Sequence, residues 1–402
     1  MTPALKPVLI ATLLALLAAP AMAQPASGAT AAAPLAQATA AVTPPAVAQH
    51  YTQLVQASYD DTLAGALTLQ KAVQSFTAAP SDEGLRVARK AWLDARELYG
   101  QTEAFRFYGG PIDDKNGPEG RINAWPMDES YVDYVKDAPN AGIINNRKTA
   151  ISKKQLASLN ERNGEENIAT GWHAIEFLLW GQDLSTTGPG NRSFEDFVDG
   201  KKPNADRRRQ YLQVVTELLV DDLRSLTKAW APTATSYRAK FERGGMESVR
   251  KMFVGLGSLS RGELAGERLE VALASQDQED EHSCFSDNTH RDVVNNARGI
   301  QNIWLGEYKR ADGSTLTGAS LRDLVAAKNP ALADRTTKQI AASVAAAEGI
   351  QAPFDREIVG AKDAPGRLRV QKTIDSLVQQ SKDLVEAANA AGITKLTLVK
   401  PK

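Results

Sequence analysis

The chain has 402 residues, and its 47 basic and 48 acidic side chains give a formal net charge of −1 at neutral pH. Balanced charge provides no basic field, which argues against nucleic acid or an anionic membrane surface as the partner. Cys284 is the only cysteine, so no intramolecular disulfide can form and the fold must depend on its hydrophobic core. A chain of this length exceeds what one core usually organises, so two domains are expected.

Residues 1–23 are predicted to be a cleavable signal peptide. Lys6 precedes an apolar run from Val8 to Ala19, and the small residues Ala21 and Ala23 form the pattern that signal peptidase cuts. The run is shorter than the roughly 20 residues that span a bilayer, and no later segment approaches that length. No cysteine follows the run to accept a lipid. We therefore expect a periplasmic or secreted protein without a transmembrane segment, beginning at Gln24.

The remainder of the chain is predicted to be a flexible tether followed by helices. Residues 24–47 are rich in Ala, Pro, Thr and Gln and lack the aliphatic bulk needed to offset their ordering entropy. Beyond them, apolar residues recur in steps of three and four, which is the helical period. Such series occur within residues 85–99, 212–226, 293–304 and 370–388. Convincing period-two runs are absent, so the predicted fold class is all-α.

Two long interruptions and one helix end suggest the domain organisation. Residues 109–152 and 186–203 contain Gly-Pro and Trp-Pro pairs that break helices, and loops this long are usually functional or disordered. A helix follows the second interruption, and Pro232 ends it. We therefore expect two four-helix-bundle-like domains packed side by side, at residues 48–232 and 233–402.

A motif near the middle of the chain places two metal-ligand residue types on one helix face. The run from Gly171 to Glu176 reads Gly-Trp-His-Ala-Ile-Glu, and side chains three residues apart leave a helix on the same side. His173 and Glu176 are therefore candidate ligands, because imidazole and carboxylate together suit iron, zinc or another divalent ion. The alternative is an interior hydrogen bond between them, since a buried carboxylate without a partner costs several kcal/mol.

A second cluster, residues 280–292, contains two of the four histidines among many carboxylates. His282 follows Glu279 by three residues and His290 follows Asp287 by three, a spacing that helical metal proteins use to direct two ligands inward. The alternative is a solvated corner, in which Ser286 or Asp287 caps the next helix.

Charged residues between apolar ones form two further candidate regions. Glu103 and Arg106 share a face after the first helical series, and Arg261 opens a glycine-containing charged run at residues 261–268. Such charges could simply pair with each other. They could equally hold an anionic substrate or orient the ligands of a metal site.

Several enzyme signatures are missing. The chain contains no His-Glu-x-x-His, and Phe177 stands where the inverted zinc-peptidase signature needs its second histidine. Serine hydrolysis through a Gly-x-Ser-x-Gly turn and nucleotide binding through a P-loop are likewise unsupported. Whether the protein is an enzyme stays open on these residues alone.

The combination of blocks resembles the imelysin family. The resemblance is carried by the family's Gly-x-His-x-x-Glu mark at residues 171–176, followed by Phe-Leu-Leu-Trp-Gly at 177–181, and by the blocks at 262–268 and 281–289. It extends over nearly the whole mature chain. It implies an extracytoplasmic protein of two helical bundles linked to iron acquisition, with His173 and Glu176 near the domain interface. The family also carries a metallopeptidase label.

Three hypotheses for function follow. The first is a periplasmic metal-binding protein in iron uptake, which holds a divalent or ferric ion, iron favoured and zinc or copper possible, together with other iron-uptake components. His173 and Glu176 are its expected ligands, with further ligands or lining residues drawn from Glu103, Arg106, Arg261, His282, Ser283, Asp287 and His290. The second is a metallopeptidase that uses the same pair. The third is a non-catalytic module that binds haem, a glycan or a peptide.

Overall fold

The computed structural model describes residues 42–399, which are mainly helical, so the all-α prediction is confirmed. The predicted signal peptide and residues 24–41 of the predicted tether lie outside the described residues. The first helix begins at Pro44, inside the stretch expected to be a tether. Pro44 is suited to a first helical position, the Thr43 hydroxyl accepts a hydrogen bond from the Ala46 amide, and Val47 and Ala48 are buried.

The α-helices of the first half include three long ones and five shorter ones. Their bounds are α1 Pro44–Ala78, α2 Asp82–Thr102, α3 Glu119–Ile122, α4 Glu129–Val132, α5 Gly142–Asn145, α6 Lys153–Leu159, α7 Gly171–Trp180 and α8 Ala205–Trp230. Single 3₁₀ turns lie at Glu103–Phe105 and Phe194–Phe197. The helix before Pro232 therefore ends at Trp230, where the sequence predicts an end.

The second half contains the remaining α-helices and one small hairpin. The helices are α9 Tyr237–Glu242, α10 Met246–Ser258, α11 Val271–Ser275, α12 Thr289–Leu305, α13 Leu321–Ala326, α14 Pro330–Glu348, α15 Asp355–Ile358 and α16 Pro365–Ala390. A π-helix at Leu259–Glu270 joins α10 to α11, and a 3₁₀ turn lies at Gln278–Asp280. The antiparallel strands β1 Glu307–Lys309 and β2 Thr315–Thr317 pair Tyr308 with Leu316.

The long helices pack as two groups that share one continuous core. Helices α1, α2, α7 and α8 contact each other, and the π-helix, α12, α14 and α16 form a second set of contacts. Helices α2 and α12 pack across the two groups. Gly299 permits this approach, because a Cβ there would lie 2.4 Å from the carbonyl oxygen of Gln101. The division into two domains near Pro232 stays a prediction.

Helix α7, which carries the Gly-x-His-x-x-Glu motif, is buried along its whole length. Gly171 begins it with a φ of +86°, and a Cβ there would lie 2.5 Å from the carbonyl oxygen of Ile122. A side chain at 171 is therefore excluded by conformation and by space. Trp92 of α2 donates a hydrogen bond to the Trp172 carbonyl (3.0 Å) and so fixes α7 against α2. Between residues 42 and 399, no helix is both long and apolar enough to cross a membrane.

Candidate functional site

His173 and Glu176 form a hydrogen-bonded pair in the interior. His173 Nδ1 lies 2.9 Å from Glu176 Oε2, and the two side chains are 1% and 0% exposed. The other carboxylate oxygen, Oε1, accepts hydrogen bonds from the amide (3.0 Å) and hydroxyl (2.7 Å) of Ser286. Both oxygens of Glu176 are therefore engaged. Ser286, expected as an alternative to cap the next helix, binds Glu176 instead, and α12 begins at Thr289 without a side-chain cap.

His282 brings a second imidazole against the first. The ring centroids of His173 and His282 are 4.7 Å apart with an interplanar angle of 71°. His282 Nδ1 lies 2.7 Å from an oxygen of Asp292, which also accepts a hydrogen bond from Ser283 Oγ at 2.6 Å. Within the described residues, neither His173 Nε2 nor His282 Nε2 has a hydrogen-bond partner, although both atoms are buried. Two neighbouring rings therefore each carry one buried nitrogen that no group in the described part of the chain satisfies.

The charges around Asp292 determine which nitrogen of His282 carries the proton. Burial alone would raise the pKa of Asp292, but Arg96, which donates to it at 2.9 Å, and His282 hold that pKa well below its ordinary value. Burial, with Arg268 nearby, lowers the pKa of His282 to about 3. A neutral ring beside an ionised carboxylate keeps its proton on Nδ1, and this assignment leaves a lone pair on Nε2.

The protonation of His173 is coupled to that of Glu176. Burial and the charge of Arg96 lower the pKa of His173 to about 3, so this ring is also neutral near pH 7. Burial raises the pKa of Glu176 to about 8, against the hydrogen bonds from Ser286. When Glu176 is ionised, it accepts a hydrogen bond from the Nδ1–H of His173, and this tautomer of the ring has its lone pair on Nε2. A cation at Nε2 would favour this ionised form, the arrangement in which a carboxylate orients a ligating histidine.

A cavity of about 340 Å³ reaches His282 from the surface. Trp125, from the long connection before α7, packs edge-on to the His282 ring at 5.7 Å between centroids. Five glutamates and one arginine are among the cavity's lining residues, Glu119, Glu161, Glu165, Glu263, Glu267 and Arg106. Arg106 pairs with Glu119 and Glu263, but the acids outnumber the single base, and a cleft with an excess of negative charge attracts cations.

Glu103, Arg106 and Arg268 form a buried ion-pair network beside this cavity. Glu103 Oε2 accepts hydrogen bonds from Arg106 (2.5 Å) and Arg268 (2.8 Å), while its Oε1 has no partner. Arg268 also donates to Glu263 at 3.0 Å, five residues earlier in the chain. Glu263 and Arg268 both lie in the π-helix. Its wider turn brings residues that are five apart towards one face, whereas an α-helix would separate them.

The remaining candidate residues lie elsewhere. Arg261 is about one-third exposed and pairs with Glu270 at 3.3 Å. His290 Nδ1 donates to the carbonyl oxygen of Asp287 at 3.1 Å, so this nitrogen is engaged. Asp287 itself belongs to a separate acidic group with Asp183 and Asp355. The structure thus brings His282, Ser283, Glu103 and Arg106 to the region of His173 and Glu176, and it places the other three outside it.

Sequence reasoning missed Arg96, Asp292 and Arg268. A usable signal existed for the first two. Arg96 follows Trp92 by four residues on the apolar face of α2, and Asp292 precedes the buried Asn296 by four on α12. A charged residue on a buried face requires a partner, which predicts that the two helices supply each other's counter-charge. Arg268 belongs to the charged run at residues 261–268, but helical spacing does not predict its partners, because the π-helix changes which residues share a face.

The donor set fits a metal ion only with additional ligands. Two neutral imidazoles suit iron, zinc or copper. In residues 42–399, neither histidine belongs to a set of three His, Cys, Asp or Glu ligand atoms lying mutually within 4.8 Å. Further coordination positions would therefore be taken by water or by groups that arrive with the ion.

Comparisons with known proteins agree with this architecture. The family model described as Imelysin matches residues 55–384. Iron-regulated protein A of Synechococcus elongatus is 27% identical over 348 residues, which cover 83% of this chain and 84% of that protein.

Two solved structures share the fold. A proposed iron-regulated protein A precursor from Parabacteroides distasonis superposes with a TM-score of 0.68 at 18% identity, covering 88% of this chain and 97% of its own. An imelysin-like protein from Psychrobacter arcticum gives a TM-score of 0.61 at 14% identity, covering 88% and 98%. These two identities support the fold alone.

Proposed function

Because this chain belongs to the imelysin family, we propose that it binds an iron cation as a step in iron uptake, and that it does so in the periplasm. One observation supports the assignment of iron, and another supports the periplasmic location. A relative that spans most of the chain is named for its regulation by iron. The sequence also begins with the pattern of a cleavable export signal.

The observation that carries the proposal is the pair of unsatisfied imidazole nitrogens. Buried polar atoms are almost always hydrogen-bonded, and leaving one unpaired costs about 1–3 kcal/mol. His173 Nε2 and His282 Nε2 are both unpaired on adjacent rings. A cation that accepts both lone pairs satisfies the two atoms at once.

Two carboxylates contact the histidine rings on the side opposite the proposed ion. Asp292 and Glu176 each lie within hydrogen-bond distance of an Nδ1 atom, so they orient the rings and increase the basicity of Nε2. In this proposal Glu176, whose two oxygens are both engaged, positions His173 and does not bind the ion. The glutamates of the cavity attract the cation, and an incomplete protein ligand set suits a site that must release its ion.

The geometry favours binding over peptide hydrolysis. A metallopeptidase needs an open metal site and a carboxylate base beside the metal-bound water. Glu176 is occupied by His173 and Ser286, and Glu103 is paired with two arginines. No observation in the described residues favours the haem, glycan or peptide alternative.

Calorimetry on chelator-stripped protein tests the proposal. Fe²⁺ titrated without oxygen, with Zn²⁺ and Cu²⁺ as comparison ions, should bind to the wild-type chain lacking residues 1–23. His173→Asn and His282→Asn should each weaken binding at least tenfold. Asparagine places an N–H near the position of Nδ1, so these variants keep the hydrogen bond to the carboxylate and remove only Nε2.

His290→Gln is the matched control, because it changes a histidine outside the pair. Its affinity should equal that of the wild type. If His173→Asn and His282→Asn, with folding verified by circular dichroism, bind Fe²⁺ as tightly as the wild type, the assignment of the two histidines as ligands is refuted. The absence of any saturable binding by the wild-type protein would also refute it.

A further inference from the structure

A second group of buried acidic side chains belongs to a different cavity from the one at His282. Asp183 follows α7, Asp287 lies just before α12, and Asp355 begins α15. One carboxylate oxygen from each lies within 4.8 Å of the other two. Three segments that are distant in the chain therefore meet at one cluster of oxygens.

Most oxygens of this group have no hydrogen-bond donor. Asp183, Asp287 and Asp355 are 4%, 6% and 4% exposed. Neither oxygen of Asp287 or Asp355 accepts a hydrogen bond from an amide, a hydroxyl or a basic side chain, and Asp183 Oδ2 also has no such donor; Asp183 and Asp287 are close enough to share a proton with each other. Asp183 Oδ1 accepts from the amide of Ser185 at 2.9 Å, the one backbone donor that reaches the group. Buried carboxylates in this state are costly, because each has lost its water without gaining a donor.

Glu281 extends the group as a fourth carboxylate. Its side chain is 0% exposed and lies against Asp355. Neither oxygen accepts a hydrogen bond of ordinary geometry, although the Thr289 hydroxyl is close enough to act on its pKa. A fully buried acid beside the three aspartates is an independent sign that the cluster lacks a positively charged partner.

The protein does not supply that partner. Within residues 42–399, no lysine, arginine or histidine forms an ion pair with any of these four carboxylates. Elsewhere in the same interior, buried acids are matched. Asp133 binds Arg192 and Arg208, and Asp292 binds Arg96. The chain pairs its other buried aspartates with arginine, so the unmatched group requires a different source of positive charge.

We propose that Asp183, Asp287 and Asp355 bind a hard divalent cation of the calcium type, with Glu281 as an additional oxygen donor. Calcium takes carboxylate oxygens at about 2.3–2.6 Å, so oxygens on opposite sides of one ion lie about 4.6–5.2 Å apart. Three oxygens mutually within 4.8 Å can therefore share it. The absence of imidazole and thiolate donors favours calcium, magnesium or manganese over iron or zinc.

A path for the ion exists. A cavity of about 580 Å³ has Asp183 and Asp355 in its wall, together with the further acids Asp277 and Glu279 and one basic residue, Arg356. These additional carboxylates would raise the local concentration of cations at its mouth. The cluster is thus buried at its oxygens and reachable from one side.

A bound ion would also support the histidine pair. It would cross-link the loop after α7, the segment before α12 and α15 through one centre. Ser286, which precedes Asp287, donates both of its hydrogen bonds to Glu176. Fixing Asp287 therefore fixes the donor that holds the carboxylate behind His173.

Calcium binding to the chelator-treated chain lacking residues 1–23 tests the proposal. Calorimetry should give one saturable site for Ca²⁺. A concentration of 100 times the dissociation constant should raise the melting temperature by about 3–4 °C for a protein of this size. Asp287→Asn and Asp355→Asn should bind Ca²⁺ at least tenfold more weakly and lose this shift, while their Fe²⁺ affinity stays within a few-fold of the wild type.

Two variants separate this site from the other charges. Glu279→Gln removes an exposed acid that lies in the same cavity wall but outside the cluster, so it should weaken Ca²⁺ binding less than twofold. His282→Asn should also bind Ca²⁺ normally, so failure of the iron proposal is distinguishable from failure of this one. The absence of saturable Ca²⁺, Mg²⁺ or Mn²⁺ binding by the wild-type chain would overturn the proposal, even if the aspartate variants fail to fold. Unchanged affinity in folded Asp287→Asn and Asp355→Asn would do the same.

Discussion

Asp292 and Asp287 lie in the same short segment and are both buried, yet their surroundings are opposite. Asp292 receives donors from Arg96, His282 and Ser283, and its pKa lies well below the ordinary value. Asp287 has no basic, amide or hydroxyl donor on either oxygen, and burial together with the neighbouring acids Asp355 and Asp183 raises its pKa to about 8. Burial is common to the two residues, so the partners decide the charge of each acid.

The same contrast separates the two proposed ion sites. Around the histidine pair, arginines neutralise Asp292 and Glu103, and the unsatisfied atoms include the two imidazole nitrogens. In the acidic group, no arginine of the described residues forms an ion pair with the carboxylates, and the unsatisfied groups are carboxylate oxygens. Nitrogen donors favour transition metals and oxygen donors favour calcium or magnesium. One chain can thus select two kinds of ion by where it places its arginines.

The largest predicted effect is the loss of stability when the ion pair between Arg96 and Asp292 is removed. Asp292→Asn leaves Arg96 buried without its counter-charge, so the free energy of unfolding should fall by about 3–5 kcal/mol. Urea denaturation at pH 7 in the presence of chelator measures it. A loss below about 1 kcal/mol would mean that the Arg96–Asp292 ion pair is not the dominant interaction there.

The next prediction concerns pH. The pKa of His282 is about 3 in the folded protein and about 6.5 when unfolded, so the unfolded chain takes up the proton first as pH falls. The stability contributed by the neutral ring is complete above pH 6.5 and is lost as pH decreases towards 3. Between pH 7 and pH 5, chelator-treated wild type should lose about 2 kcal/mol more than His282→Asn. If the free energy of unfolding changes with pH equally in the two proteins, the lowered pKa of His282 in the folded protein is contradicted.

A substitution in the acidic group is expected to increase the free energy of unfolding, by less than Asp292→Asn decreases it. Without divalent cations, Asp287→Asn removes a buried acid that has no donor, so stability at pH 7 should rise by about 1 kcal/mol. Saturating Ca²⁺ should reverse the order, because only the wild type keeps the full ligand set. Destabilisation of Asp287→Asn in chelator would show that Asp287 has a partner within the protein.

The smallest expected effect is the control. Glu279→Gln changes an exposed acid near the same cavity and should alter stability by less than about 0.5 kcal/mol, with or without Ca²⁺. Thermal denaturation beside Asp287→Asn provides the comparison. A shift as large as that of Asp287→Asn would indicate a general charge effect instead of a specific cluster.

The sequence predicted the helices better than the site. Apolar spacing located the long helices, and Gly171 to Glu176 marked α7, because these signals are local. For Glu176 the sequence allows either a metal ligand or an interior hydrogen bond with His173, and it gives no sign of the second contact, with Ser286, which tertiary packing creates. The meeting of Asp183, Asp287 and Asp355 depends on how distant segments pack, which no local pattern encodes.

Anomalous X-ray diffraction tests the central claim, the binding of a cation between the two imidazoles, most directly. Crystals of the chelator-stripped protein, loaded with Fe²⁺ without oxygen and measured at the iron absorption edge, should show one strong peak at about 2.0–2.2 Å from the Nε2 atoms of both His173 and His282. A map with no iron peak at these nitrogens, or with iron bound only at the aspartates, would contradict it.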